Sequence, residues 1–323
     1  MNNRNLLRAL LAPLLLVAAA AWGQAPNAQA EAEQKAAVEA AEKSKTDGPA
    51  EIPLRDQAKL KLPAGYTWVP QAAAAQLLRS MGNRTDERLI GVVFPQSDAG
   101  WFAVVQYVNE GYVKDDDARD WNADDLLKSL RQGTESGNEE RAKRGIPGIE
   151  VVGWAEKPHY EAGSHQLVWS ATTREKGSTG EPRGVNYNTY TLGREGYISL
   201  NLVTALKDLP AHKPSALELL AATQYVEGKR YADFSSSTDK VAAYGLAALV
   251  AGAAAKKLGF FALALAFLAK FAKVIVVAVG GALWGVAKLF GKKEKAPAAP
   301  VEPVLATAPA GLGDGQQRPP GAT

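Results

Sequence analysis

The sequence contains no cysteine, three histidines and two methionines in 323 residues. Without cysteine the chain cannot form a disulfide framework, a zinc–thiolate site, a thiol nucleophile or a lipid-modified cysteine anchor. The glycines do not form a phosphate-binding P-loop or a dinucleotide-binding pattern, and no serine lies in a Gly-x-Ser-x-Gly turn. The chain therefore lacks the sequence signatures of several common enzyme classes.

The formal net charge of +3, with a pI near 8.8, is distributed unevenly. Residues 51–238 carry 22 basic and 25 acidic side chains, whereas residues 239–295 carry nine lysines and two acidic residues. These lysines flank apolar stretches, where they would meet the anionic head groups of a membrane. The basic pI therefore indicates a lipid bilayer as a partner and gives no support to nucleic-acid binding.

A long apolar run near the C-terminus predicts membrane insertion. Lysines divide residues 239–291 into three apolar pieces, 241–255, 258–269 and 274–287. A membrane-spanning helix needs about 20 apolar residues, or about 17 at the short end. We therefore expect a transmembrane hairpin over residues 239–291, with residues 258–273 as an interfacial connector. The alternative is a single span formed by the last piece, with the first two pieces lying on the membrane surface.

Small residues within this run have the spacing found where helices pack closely in a membrane. The pairs are Ala248 with Gly252 and Gly281 with Gly285. Side chains of this size, four residues apart, let two helix backbones approach each other. The same spacing also arises by chance in helices rich in alanine and glycine. These four positions are the predicted helix-packing contacts of the hairpin.

The segments on either side of the predicted domain carry targeting or disorder signals. Residues 1–30 begin with Arg4 and Arg8, continue with an apolar core and end with small residues, which is the layout of a signal peptide. Residues 31–50 are rich in Ala, Glu and Lys and predict a flexible linker. Residues 292–323 are rich in Pro, Ala and Gly and predict a disordered tail. We therefore expect the folded part to be exported, with a retained N-terminal anchor as the alternative.

Residues 51–235 have the pattern of a compact mixed domain. The predicted helices cover residues 71–81, 122–144 and 215–226, and the predicted strands cover residues 89–94, 101–108, 149–155, 166–173, 185–192 and 197–203. Consecutive hairpin-like strands with helices between and after them imply an antiparallel sheet covered by helices. The predicted fold class is α+β, followed by C-terminal transmembrane helices. The element order is similar to the sandwich of Mog1 and PsbP proteins, an analogy of fold that carries no function.

Several dispersed segments together resemble one family of bacterial proteins. They are residues 111–118 (GYVKDDDA), 152–156 (VGWAE), 158–160 (PHY) with His165, 186–188 (NYN), 192–194 (LGR), 230–234 (RYADF) and 239–245 (DKVAAYG). In combination these segments resemble the membrane-anchored proteins of the domain of unknown function 2167 family. The resemblance covers roughly residues 50–291 and implies a bacterial envelope protein. It supplies no established activity and no catalytic residue.

The candidate catalytic or metal-binding residues are Glu156, His159 and His165. Two histidines and one carboxylate form a set of ligands that suits a divalent transition metal. Such a set gives the alternative function of a metal-dependent hydrolase. Pro158 and Gly163 lie between the predicted strands 149–155 and 166–173 and instead indicate a hairpin loop. In such a loop a histidine is more often hydrogen-bonded to its neighbours than bound to a metal.

A second cluster consists of acidic residues that precede the predicted central helix. Its members are Asp115, Asp116, Asp117, Asp120, Asp124 and Asp125. Closely spaced carboxylates are what calcium prefers, but the spacing is not that of a calcium-binding EF-hand loop. Carboxylates near a helix N-terminus also gain from the helix dipole. We therefore expect a solvated helix cap here, with calcium binding as the alternative.

Together these features predict an uncharacterised membrane-anchored protein whose periplasmic domain is a non-catalytic binding or assembly module. We expect it at the bacterial inner membrane, with the lipid bilayer and another envelope protein as partners and without a cofactor. The alternative is the hydrolase that would use Glu156, His159 and His165. A transport role for the hairpin is a third possibility, but no acidic or histidine residue lies within the predicted spans to mark an ion path.

Overall fold

The computed structural model describes residues 28–251, except for positions 82, 84, 120, 144–146 and 181–183. The predicted disordered tail and nearly all of the predicted signal peptide lie outside the described residues. The same holds for the predicted hairpin from residue 252 onward, including Gly252, Gly281 and Gly285. Among the described residues, no helix combines the length and the apolar composition that crossing a bilayer requires.

The described residues form an α+β fold around a large antiparallel sheet, as predicted. The strands are β1 (Thr46–Asp47), β2 (Ala50–Leu54), β3 (Ala58–Leu62), β4 (Tyr66–Pro70), β5 (Leu89–Pro95), β6 (Phe102–Val108), β7 (Tyr112–Lys114), β8 (Ile149–Glu161), β9 (Gln166–Glu175), β10 (Gly184–Leu192), β11 (Tyr197–Ala205), β12 (Thr223–Tyr225) and β13 (Val241–Gly245). The helices are α1 (Ala28–Ser44), α2 (Gln71–Ser80), α3 (Ala123–Lys143), α4 (Leu209–Ala221) and α5 (Leu246–Ala251).

Eight strands form the central sheet, in the order β1-β4-β5-β6-β11-β10-β9-β8, and every pair in it is antiparallel. A second antiparallel sheet has the order β12-β3-β2. The short strands β7 and β13 form a separate parallel pair. This pair joins a strand near the middle of the chain to the last strand described.

The two faces of the central sheet are covered by different elements. On one side, which we call the α4 face, Tyr187, Leu200 and Leu202 pack with α4, β2 and β3. The other side, which we call the α3 face, has two apolar clusters. One cluster joins α1 and α2 to strands β4, β5 and β6, and the other joins α3 and α5 to strands β9, β10 and β11. The sheet is therefore the middle layer of three.

The sequence explains where the central helix begins and how it is held. Asn122 is the N-cap of α3, and its side-chain Oδ1 accepts hydrogen bonds from the backbone N–H groups of Asp124 and Asp125 at 2.8 and 3.2 Å. A cap of this kind satisfies N–H groups that have no partner inside the helix. Farther along α3, the buried Asn138 amide hydrogen-bonds both the N–H and the C=O of Ile149, so the helix is fixed to β8.

The structure differs from the sequence prediction at the last long helix. The prediction places that helix over residues 215–226. In the structure α4 begins at Leu209, with Pro210 in its first turn and Pro214 inside it. The helix ends at Ala221, and Thr223–Tyr225 forms β12 beside β3.

The structure also differs from the predicted flexible linker over residues 31–50. These residues form most of α1 and all of β1, and β1 pairs with β4. Ala37 and Ala41 are buried against α2 and the central sheet, with exposed fractions of 2% and 0%. Small alanine side chains on one side of α1 let it approach this surface closely. Composition alone therefore misses a helix whose stability comes from its packing.

The predicted hairpin differs from the structure at its described end. Val241–Gly245 is strand β13, and Leu246–Ala251 is helix α5, whose buried side chains join those of α3 in one apolar cluster. The predicted packing position Ala248 lies in α5. Five of the apolar side chains that suggested a membrane span here are buried in the domain itself, namely Ala242, Leu246, Leu249, Val250 and Ala251, whereas Val241 is exposed. The folded domain therefore extends beyond the predicted boundary at residue 235.

Replacing Leu246 with alanine in the full chain tests this extended boundary. Leu246 is fully buried, so the substitution should lower the free energy of unfolding by roughly 2–5 kcal/mol, as large-to-small changes in a core do. The matched control is Leu217→Ala, because Leu217 is 38% exposed on α4 and should cost less than about 0.5 kcal/mol. The measurement is chemical unfolding in detergent, followed by tryptophan fluorescence. Equal stabilities for the two variants would show that α5 is not part of the core.

Candidate functional site

The three residues of the predicted metal set do not come together. Glu156 accepts a hydrogen bond from the Tyr187 hydroxyl at 3.1 Å and lies 2.6 Å from Lys213 Nζ, so it belongs to the α4 face. His159 is exposed on β8, opposite Val168. Within the described residues, no group of three or more acidic or histidine side chains could hold a metal ion. The predicted set is therefore divided between different surfaces of the fold.

His165 lies in the turn between β8 and β9, on the opposite side of the sheet from Glu156. Its backbone has a positive φ of 53°, an uncommon conformation for a residue with a side chain. The imidazole packs against the ring of Tyr231, with 4.1 Å between ring centroids, and Tyr231 belongs to the apolar cluster of the α3 face. The backbone carbonyl of His165 accepts a hydrogen bond from the N–H of Leu192. The turn is thus fixed by both its backbone and its side chain.

A carboxylate and a phenol complete the surroundings of His165. The Tyr160 hydroxyl donates to Asp115 Oδ2 at 2.7 Å and lies 3.1 Å from His165 Nδ1. Because the phenol has one proton and gives it to Asp115, we assign Nδ1 of His165 as the donor in the second contact. Burial lowers the pKa of His165, although the nearby Asp115 raises it. The imidazole is therefore neutral at neutral pH.

Four rings form a stack that connects distant parts of the chain. Phe234, Tyr112, Tyr231 and His165 follow one another with centroid separations of 3.9, 4.3 and 4.1 Å. The Tyr231 hydroxyl donates to the carbonyl of Val113 at 3.0 Å. Burial raises the pKa of Tyr231, so its phenol stays protonated. The stack attaches the segment after β12 to strand β7 and to the turn between β8 and β9.

Charged residues hold the last described segment of the chain in place. Arg194 donates two hydrogen bonds to the carboxylate of Asp239, at 2.7 and 2.8 Å. Asp117 accepts hydrogen bonds from the backbone N–H groups of Leu246 and Ala247, each at 3.0 Å, and so caps α5. Burial raises the pKa of Asp117, while these two hydrogen bonds lower it. We call Asp117, Arg194 and Asp239 the C-terminal latch.

Two glycines let the backbone come close enough for the latch to form. A Cβ atom at Gly245 would lie 2.5 Å from Asp117 Oδ2, so a larger residue would displace the cap of α5. Gly111 has a φ of 99°, and a Cβ atom there would lie 2.6 Å from the carbonyl oxygen of Lys240. Strand β13 can therefore lie beside β7 only because these two positions lack side chains.

The latch explains residues that sequence reasoning assigned differently. The sequence predicts a solvated cap or a calcium site for the acidic cluster. In the structure, Asp115 binds Tyr160 and Asp117 caps a helix that begins more than a hundred residues later. Sequence reasoning gave no role to the ion pair of Arg194 with Asp239. The only available signal was that these residues fall in the segments that resemble the family.

Replacing Asp239 with asparagine tests the latch through its pH dependence. Hydrogen bonds from Arg194 hold the pKa of Asp239 well below its usual range. A carboxyl whose pKa is lowered by folding contributes stability above its unfolded pKa of about 3.9, and this contribution disappears as the pH falls toward the folded pKa. The melting temperature of Asp239→Asn should therefore fall below that of the parent at pH 7, and the difference should shrink below about pH 4.

The matched control is Asp98→Asn, which removes an exposed carboxylate from the loop between β5 and β6. Its melting temperature should follow that of the parent at every pH. Thermal melts of the full chain in detergent between pH 3 and pH 8 provide the measurement. A deficit for Asp239→Asn that stays constant down to pH 3 would contradict the assignment.

Two of the solved structures that resemble this chain are distant likenesses. Cyanobacterial PsbP from Synechocystis sp. PCC 6803 is 13% identical, with a TM-score of 0.34, and the match covers 57% of this chain and 92% of that chain. A protein of unknown function, PA94, from Pseudomonas aeruginosa is 12% identical, with a TM-score of 0.21 and coverage of 53% and 92%. Both TM-scores are below 0.5, so neither likeness carries a conclusion about this chain.

The comparison with curated proteins finds no match. One family model, described as a protein of unknown function (DUF2167), matches residues 46–280. The match spans all the segments that carried the resemblance, including those that form the latch and the aromatic stack. The chain belongs to the DUF2167 family.

Proposed function

We propose that this protein is a membrane-anchored module of the bacterial envelope that acts by binding or assembly. The observation that carries the proposal is the position of the latch. The latch keeps the chain inside the domain as far as Ala251, and an apolar piece begins at residue 258, after Lys256 and Lys257. An anchor that starts there would hold the domain close to the bilayer.

The sequence supports the membrane and the compartment in this proposal. With residues 241–251 folded into the domain, the anchor lies within residues 252–291, where two apolar pieces and several lysines remain. Lysines beside apolar pieces favour contact with lipid head groups. The signal-like start of the chain favours export, so the domain faces the periplasm from the inner membrane. The partners in this proposal are the bilayer and another envelope protein.

The contacts of the titratable residues favour binding over catalysis. Asp115, Tyr160 and His165 bond to one another, and Glu156 is engaged by Tyr187 and Lys213. A general acid or base needs its reacting atom within hydrogen-bond reach of a substrate. The hydrolase alternative needs Glu156, His159 and His165 in one place, and the fold separates them. We therefore favour a domain whose ionisable groups stabilise its structure.

Membrane extraction tests the anchor. The full chain should remain in the membrane fraction after alkaline carbonate treatment, whereas a chain that ends after Ala251 should be released as a folded protein. The released chain keeps the complete latch, so its loss from the membrane would not result from unfolding. The matched control is the full chain carrying Asp117→Ala, which should stay in the membrane although its domain is less stable by about 1–3 kcal/mol. Release of the full chain by carbonate would refute the anchor.

Reporter fusions test the topology. Alkaline phosphatase inserted before residue 252 should be active if the domain is periplasmic. Activity of the same reporter after Thr323 would support two spans, whereas cytoplasmic fluorescence of green fluorescent protein there would support one.

Metal analysis of the purified chain tests whether the domain binds or catalyses. Stoichiometric zinc or manganese that disappears in His159→Ala would favour the hydrolase instead.

A further inference from the structure

The imidazole of His165 lies at a junction between the sheet and the last part of the described chain. We call residues 226–251 the closing segment. The ring of His165 packs on Tyr231 of this segment, and its Nδ1 atom lies 3.1 Å from the Tyr160 hydroxyl of β8. Asp115, which follows β7, has its Oδ2 atom 3.9 Å from the same nitrogen. A movement of the closing segment away from the domain would therefore expose the imidazole to water.

The closing segment is attached at the periphery of the fold by a few separate contacts. They are the four-ring stack, the ion pair of Arg194 with Asp239 and the cap that Asp117 places on α5. The pairing of β13 with β7 is short and irregular in register. Segments of this kind open locally at a lower cost in free energy than unfolding of the central sheet. The closing segment can therefore respond to a change in one contact.

The hydrogen bonds around His165 fix which atom would receive a second proton. Burial raises the pKa of Tyr160, so its hydroxyl keeps the proton that it donates to Asp115. Nδ1 of His165 is then the donor to the Tyr160 oxygen, and Nε2 is the atom that can be protonated. The titratable groups that face the ring are Asp115, Tyr160 and Tyr231. Among the described residues that face it, Asp115 provides the charge that acts on the imidazole.

Burial and charge act on His165 in opposite directions, and burial has the larger effect. The pKa of His165 is lowered because burial disfavours the imidazolium more than Asp115 favours it. With the closing segment in place, His165 therefore binds fewer protons than it does in water. Its contribution to the attachment is complete above the ordinary histidine pKa of about 6.5, and it decreases as the pH falls below that value.

We propose that His165 is a pH-sensitive contact that keeps the closing segment attached at neutral pH and lets it open in mild acid. Opening separates the ring of Tyr231 from His165, water reaches the imidazole, and Nε2 takes one proton from solvent. Protonation of buried histidines is a common way to shift a two-state contact. The closing segment leads to the proposed anchor, so opening would also change how the domain is held at the bilayer. This last step rests on the proposed function, whereas the opening itself does not.

The acidic contacts of the closing segment do not produce the same response. The pKa of Asp117 is raised by burial, so the closed form binds more protons there, and acid strengthens this contact. Hydrogen bonds from Arg194 hold the pKa of Asp239 well below its usual range, so the ion pair persists until the pH falls below about 4. A loss of attachment between pH 7.5 and pH 5 is therefore specific to His165 among these contacts.

Hydrogen exchange of the full chain in detergent, followed by mass spectrometry at pH 7.5 and pH 5.0, tests the proposal. Protection is calculated against the intrinsic exchange rate at each pH. Peptides from residues 231–251 should lose protection at pH 5.0 by at least about threefold and by no more than about tenfold per pH unit. His165→Phe keeps a ring against Tyr231 but cannot take a proton, so it should abolish this loss. The matched control His159→Phe replaces an exposed histidine of β8 and should behave as the parent does.

A second variant and a direct titration keep the test independent of how well His165→Phe folds. His165→Asn suits the positive φ of this position and also cannot take a proton. Its closing segment should exchange faster than that of the parent at both pH values, but without a pH dependence. The chain has three histidines, so each imidazole signal in an NMR titration can be assigned by substitution. The midpoint for His165 should lie below about 6.5.

Three results would overturn the proposal. They are equal protection of the closing segment at pH 7.5 and pH 5.0 in the parent, a loss of protection that persists in His165→Phe, and a midpoint for His165 at or above the ordinary histidine value. Membrane extraction by carbonate does not depend on the protonation of His165. Failure of the pH response is therefore distinguishable from failure of the anchor.

Discussion

The constraint on which this structure depends is that the central sheet must be covered on both faces. All positions of β5 and β6, and nearly all of β10 and β11, are buried. A sheet of this kind cannot leave one side to water, as many antiparallel sheets do. Helix α4 and the small sheet cover one face. The other face is too wide for α2 and α3 alone, so α1 and α5 complete the cover from the two ends of the described chain.

This requirement also fixes the position of the last segment that the structure describes. Helix α5 contributes buried leucines to the core, and β13 brings it there by pairing with β7. The C-terminal latch fixes this arrangement with an ion pair and with a carboxylate that caps α5. A short strand pair has little stability of its own, so the latch and the aromatic stack supply the additional contacts. These contacts hold the chain in the domain as far as Ala251, the last residue described.

The middle of the α3 face departs from the apolar pattern that a covered sheet face requires, because five buried polar residues lie there: Gln106, Asn186, Asn188, Ser199 and Asn201. Helix-covered positions in a sheet are normally apolar, because burial of unpaired polar groups is unfavourable. These polar residues lie where the two apolar clusters of the α3 face meet, and they come from the adjacent strands β6, β11 and β10. The stability of the sheet comes from the apolar positions on either side.

The sequence by itself determined the α+β class and the long helices and strands between residues 71 and 205, because alternation along strands and caps of helices are local signals. Asn122 as the N-cap of α3, the strands from β8 to β11 and the antiparallel arrangement followed from such signals. Only the tertiary structure decided that residues 31–50 and 241–251 are folded parts of the domain. An alanine-rich helix and a short apolar strand are stable only against a surface that distant residues provide. The tertiary structure also decided that Glu156 and His165 lie on opposite faces and that Asp117 and Arg194 hold the end of the domain. Contacts across more than a hundred residues depend on the order of strands in the sheet, which no local pattern in one sequence records.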